Sequence, residues 1–145
     1  MDRLIQEKIS ADHLLHVSMK YTKTTGVMLN LIERWRSMIE ISIDLLLERA
    51  KKKKSIKIIP LVPKLKVEKI KEIHKKNPFI LEGIGLYDFF KRIDKMEKTS
   101  EGEFRKNVAL KVLDKGKWVN INMEQLKEYS EIVERYMINV KQVLN

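Results

Sequence analysis

The chain contains no cysteine. Disulfides and thiolate metal sites are therefore excluded, and a reducing, cytoplasmic setting fits. It has only five glycines and three prolines in 145 residues, so few points interrupt regular structure and long helices can run unbroken. Long apolar runs are missing too. Leu45-Leu46-Leu47 is bracketed by Asp44 and Glu48, so nothing can span a bilayer and no membrane partner is expected. The first eight residues are charged and lack an apolar core, so no signal peptide is expected. No G-x-S-x-G, H-E-x-x-H or cysteine nucleophile is present. Gly83-Ile84-Gly85 lacks the third glycine of a nucleotide loop and no lysine–serine pair follows, so it reads as a loosened helix start. Carboxylates are always mixed with lysines, as on a solvated helix face, and no paired-carboxylate site stands out. No cofactor is implied.

Acidic residues are also in the minority: twenty against thirty basic ones, a formal charge of +10. Such a balance favours polyanions, whether RNA, DNA, acidic lipid or an acidic protein. A lysine- and glutamate-rich composition is equally ordinary in proteins of hot-growing organisms.

What the sequence does contain is helical periodicity. Leu4, Ile5, Ile9, Leu14, Leu15 and Met19 predict a helix from Asp2 to about Lys20. Tyr21 to Gly26 reads as a turn, with Thr24 or Thr25 as the next N-cap. Met28, Leu31, Ile32, Trp35, Met38, Ile39, Ile43 and Leu46 form the stripe of a long second helix reaching about Ala50. Ile56 to Pro63 is β-branched with two prolines and must be an extended strap. Two shorter helices are predicted at about 67–76 and 79–98, separated by Asn77-Pro78. Residues 99–103 read as a loop. Val108 to Leu113 and Trp118 to Ile121, joined by Asp114-Lys115-Gly116-Lys117, read as a β-hairpin. Asn122 with Gln125 resembles a capping box opening the last helix. The expectation is one domain, 1–145, mainly all-α: an up-and-down helical bundle with a small β-hairpin before the C-terminal helix.

Two basic groups are candidate nucleic-acid contacts. Lys51, Lys52, Lys53 and Lys54, with Lys57, Lys64 and Lys66 nearby, suit phosphates, and they equally suit a solvated helix C-terminus. Arg105, Lys106, Lys111, Lys115 and Lys117 surround the hairpin. Trp118 beside them has the surface to stack a base, although covering the bundle end is the favoured role for so large a side chain. Asp12, His13 and His16 are the only ligand-like cluster, but a His pair at i, i+3 supplies two ligands at most, and no metal is expected.

A bundle, a short hairpin entered through Arg105, and a last helix reading Leu126-Lys127-Glu128-Tyr129 resemble the HEPN superfamily. The resemblance implies a small helical homodimer. Many such proteins are ribonucleases or toxins, and others partner a minimal nucleotidyltransferase. The family motif is Arg, a polar residue, then a His four to six residues after the intervening stretch begins. Arg105 and Asn107 match its first half. Ala109 to Lys111 and Val112 stand where the histidine should fall, and no histidine follows His74. Without an imidazole there is no general base near neutral pH, so the resemblance implies lost nuclease activity. Arg105 then holds a phosphate or pairs with Glu101 or Glu103. The leading expectation is a non-enzymatic, homodimeric HEPN-like binding module that contacts RNA or a nucleotidyltransferase-type protein. The alternatives are a basic nucleic-acid-binding protein of a thermophilic archaeon and a protein–protein adaptor with incidental charge. Val27, Ile41, Leu45 and Leu47 lie outside the main stripe of the second helix and suggest the dimer face.

Overall fold

The computed structural model describes residues 2–145. Helix α1 (Asp2–His13) continues through a π-helical turn (Leu14–Ser18) into a closing turn, α2 (Met19–Tyr21). The 28-residue helix α3 spans Thr25–Lys52. It is followed by α4 (Pro63–Ile73), α5 (Pro78–Ile93), strands β1 (Lys98–Glu101), β2 (Ala109–Asp114) and β3 (Lys117–Ile121), and α6 (Met123–Leu144). The architecture is mainly all-α, and the expected hairpin is part of a three-stranded antiparallel sheet ordered β1-β2-β3.

Local chemistry sets most boundaries. Thr24 caps α3 by accepting the Val27 N–H at 3.3 Å, and Asn77 caps α5 by accepting from Ile80 N–H. Asn122 caps α6 by accepting from Gln125 N–H at 2.8 Å. The Gln125 amide turns to Glu128 instead of back to the cap, so only half of a capping box forms. Pro63 and Pro78 open α4 and α5, where a missing N–H costs nothing. α4 therefore starts four residues earlier than periodicity suggested. α5 stops at Ile93, because Lys98 already belongs to β1. The strap between α3 and α4 is irregular, as its prolines require. Lys115 and Gly116, both at positive φ, form the two-residue turn between β2 and β3.

α3 is the central shaft. α1 lies along it in reverse, with Arg34 near Glu7. α5 also runs antiparallel: Tyr87 donates to Glu40, Phe90 stacks on Trp35 with ring centroids 6.0 Å apart, and Arg36 meets Asp94 at 2.8 Å. α6 returns parallel to α3. The fully buried Tyr136 bonds Ser42 at 2.5 Å, and since the Ser42 hydroxyl donates to the Ile39 carbonyl, the phenol is the donor. Gly83 makes this crossing fit. A Cβ there would stand 2.2 Å from a Tyr136 ring atom. Gly83 is thus a packing notch inside α5, not a loosened helix start, and Gly85 has open space around it.

Because α3 is enclosed by several helices, its second set of apolar residues is not a free face. Leu47 is fully buried, and Val27, Ile41 and Leu45 are half-buried against the core. The dimer argument built on those four residues is overturned. The sheet covers the α5 C-terminal end of the bundle, with Val108, Leu110, Val112 and Ile121 in the core.

Candidate nucleic-acid interface

The seven basic residues singled out by sequence do not meet in one place. Lys51 and Lys52 end α3, and Lys53 is its C-cap. Lys54 has φ 62°; its N–H bonds the Lys51 carbonyl, and Ser55 N–H bonds the Ala50 carbonyl. This is a Schellman closure with lysine where glycine is usual. All four lysines are exposed. Arg105 and Lys106 lie in the β1–β2 loop, which packs on the opposite end of α3. At 1.5 Å per residue the two groups are separated by about 40 Å of helix. Lys117 stands at the hairpin turn, opposite Asp114, which is itself held by Arg92. Lys66 and Lys111 are neutralised by Asp44 and Glu101.

The loop between β1 and β2 is built with unusual care. Glu103 closes the N-terminus of α3 from outside: one carboxylate oxygen accepts the Thr25 N–H at 3.1 Å and the Thr25 hydroxyl at 2.7 Å. The Thr25 hydroxyl has one proton, so the Ser100 hydroxyl 2.7 Å away donates to it. These bonds hold the Glu103 carboxyl below the usual carboxylate range. The positive helix end favours the same charge. Phe104 N–H then bonds the Lys23 carbonyl at 2.6 Å. Gly102 turns at φ 64°, where a Cβ would press on Asn107 at 2.9 Å.

Phe104 pays the conformational cost. It has φ 66°, a region unfavourable to any side chain with a Cβ, yet it is 76% exposed. Tyr21, at the end of α2 and on the turn that holds this loop, is 77% exposed. Lys20, whose Nζ lies 5.7 Å from the Tyr21 ring centroid, and Lys23, Arg105 and Lys106 belong to these two segments, and none of the four forms an ion pair with the described residues. Arg105 is not paired with Glu101 or Glu103, because Lys111 and Thr25 occupy those carboxylates. The basic loop borders a shallow groove of about 540 Å³ of mixed charge, where Lys106, Lys111 and Lys127 stand with Glu101 and Glu124.

Trp118 does not cover the end of the bundle. It is 51% exposed, because strand alternation gives the inward positions of β3 to Val119 and Ile121 and turns Trp118 outward beside Leu113. Among the described residues no group of His, Cys, Asp or Glu is placed to hold a metal. Asp12 is bonded to Lys8. The π-helical turn that starts after His13 widens the helix and rotates His16 out of the normal i, i+3 relation. His74 caps α4 at the far end, where burial pushes its pKa down.

Comparison with known proteins gives no match to any family model, curated protein or solved structure. Sequence reading missed Tyr21 and Phe104. Phe104 adjoins the noted Arg105, but an isolated aromatic in a polar loop shows its exposure and backbone strain only once folded.

Proposed function

We propose that the protein is a HEPN-like RNA-binding module that grips single strands at the sheet end of the bundle. One observation carries the reading: an aromatic ring held outward in a strained backbone conformation beside Arg105 and Lys106. Stacking of a base on an exposed ring is tolerant of sequence, and adjacent cations track the phosphates. The polar loop has no need of a strained phenylalanine for its own packing, and residues kept in unfavourable conformations cluster where the fold is used. Tyr21 offers a second ring, and Trp118 a third on the outer face of the sheet. The non-enzymatic part of the reading rests on the missing motif histidine, since no histidine follows His74. The resemblance implies a homodimer. Ile5 and Ile9 on α1, with Ile138 on α6, are exposed apolar residues on helices joined by the Lys8–Glu134 contact, and they are the surface a second copy would cover.

The test is a fluorescence anisotropy titration with a uridine-rich single strand at rising salt, checking the same samples for cleavage. Binding falls steeply with salt and no cleavage is seen. Phe104→Gly removes the ring and relaxes the backbone at once. Its affinity falls about tenfold, while stability holds or rises. Equal affinity of Phe104→Gly and the parent chain would refute the site. Light scattering reads the dimer, and a monomer removes that part of the reading.

A further inference from the structure

The opposite end of the molecule carries a surface that RNA contact at the sheet does not use. From Arg49 to Val67 the chain has eight basic residues and no acidic one. Within that stretch the strap and the start of α4 expose Ile58 at 80% and Leu61 at 91%. Val62 and Leu65 are about half exposed. These aliphatic side chains interleave with Lys57 and Lys64 and follow directly on Lys51–Lys54. Pro60 and Pro63 restrict the backbone that presents them. A shallow groove of about 510 Å³ between strap and α4 adjoins it, with Ile56, Ile58 and Ile73 alongside Lys57, Lys75 and the mutually paired Lys69 and Glu72.

We infer that this strap is a surface anchor for an anionic lipid bilayer. The composition points to an occupant that is apolar inside and negative at its rim. A second copy of the chain is disfavoured, because an isologous contact would set one lysine collar against another. The near-complete exposure of Leu61 and Ile58 marks side chains standing clear of the surface. A fluid acyl layer accepts such protrusions without a complementary mould, whereas a protein partner must supply one. The irregular strap backbone keeps its polar groups hydrated at headgroup depth, so the contact is shallow. Among the described residues no helix is long and apolar enough to cross a membrane, and surface attachment needs none. Lysines supply the long-range attraction, each worth about a fivefold change in binding near an anionic leaflet, and the aliphatic residues hold the chain once it arrives.

Co-sedimentation of the full chain with vesicles tests this. One set is phosphatidylcholine alone, and the other contains roughly one-third phosphatidylserine. The chain binds the anionic vesicles, binds neutral ones at least tenfold more weakly, and is released by salt. The Ile58→Ser/Leu61→Ser variant, altered only at exposed positions, binds the anionic vesicles at least tenfold less while its thermal unfolding is unchanged. The Lys54→Gln/Lys57→Gln/Lys64→Gln variant loses a hundredfold or so, three steps of the fivefold effect. Phe104→Gly binds vesicles like the parent, which keeps this result separate from the RNA site. No binding to anionic vesicles overturns the inference, and so does undiminished binding by the serine variant. Capture of an acidic amphipathic peptide in solution without vesicle binding also overturns it and gives the strap to a protein partner.

Discussion

At its C-terminus α3 closes on local means. Lys54 turns the chain, and two backbone bonds from Lys54 and Ser55 satisfy the last carbonyls. At its N-terminus the local cap from Thr24 is joined by Glu103, 78 positions further along the chain, which clasps Thr25 from outside. Both ends are basic, and each depends on a residue with a side chain in the left-handed region, Lys54 at φ 62° and Phe104 at φ 66°. Around Lys54 the neighbours are lysines and aliphatic residues. At the Phe104 end they are the exposed Tyr21 on the adjoining turn, cations with no ion pair among the described residues, and a hydrogen-bonded clasp. Net charge therefore does not distinguish the two surfaces. What accompanies the charge does: rings at one end suit bases, aliphatic side chains at the other suit acyl chains.

The comparison assumes that the ends are independent and joined by a rigid shaft, and Gly83 tests the shaft. Gly83→Ala drives a methyl group into Tyr136 and displaces α6 from α3. Overpacking outweighs the gain in helix propensity and costs about 3 kcal/mol. A fall in melting temperature of roughly 6–12 °C follows for a chain of this size. Calorimetry checks it. RNA and vesicle affinities measured well below the transition should stay near the parent values; loss at one end alone would show that the shaft couples them.

Thr25→Val strikes only the N-terminal end. It deletes the hydroxyl that donates to Glu103 and accepts from Ser100, in a residue that is itself buried. The loss is about 1–2 kcal/mol. Chemical denaturation reads it, and RNA affinity falls with the loop that carries Phe104 and Arg105. Vesicle binding does not follow. If Thr25→Val leaves RNA affinity intact, the clasp does not position the aromatic ring.

The paired glycine variants sharpen the contrast. Lys54→Gly and Phe104→Gly each relieve a left-handed side chain and stabilise the fold by about 0.5–1 kcal/mol, after the entropy cost of glycine in the unfolded chain. Their functional consequences differ. Lys54→Gly leaves RNA binding unchanged and lowers vesicle affinity only by one charge. Phe104→Gly lowers RNA affinity about tenfold. Matching gains in stability with matching losses of binding would abolish the distinction.

The helices were legible because their signals are local. Apolar residues three and four apart place α1, α3 and α6, and Thr24, Asn77 and Asn122 mark the starts of α3, α5 and α6. β1 was not legible, since Lys98-Thr99-Ser100-Glu101 has no apolar alternation and exposes its three later residues as an edge strand. The role of Gly83 was hidden because it depends on Tyr136, 53 positions away. The sheet-end surface was half legible. Arg105 and Lys106 stand out in sequence, but only folding ties their loop to the turn after Tyr21 and shows that Glu103 bonds Thr25 while Arg105 has no ion pair among the described residues. Trp118 misled because its size argues for burial while its place on β3 turns it outward.

The smallest expected effect is a difference in how the two ends respond to acid. Glu103 is held ionised in the folded chain by the Thr25 hydroxyl and N–H, so its folded pKa lies below the ordinary value of 4.5. A depressed carboxylate contributes stability that is complete above that ordinary value and is lost as pH falls through the folded one. The clasp therefore holds throughout the neutral range and opens only at acid pH. The Schellman closure at Lys54 and Ser55 uses backbone groups alone and has no carboxylate to protonate. Amide hydrogen exchange between neutral pH and about pH 3, corrected for intrinsic rates, reads both ends in one sample. Protection of Thr25 and Phe104 is lost before that of Lys54 and Ser55, and Glu103→Gln shows the weakened Thr25 protection already at neutral pH. Loss of protection at both ends together would place the acid sensitivity in the shared core and remove the asymmetry on which the two-surface reading depends.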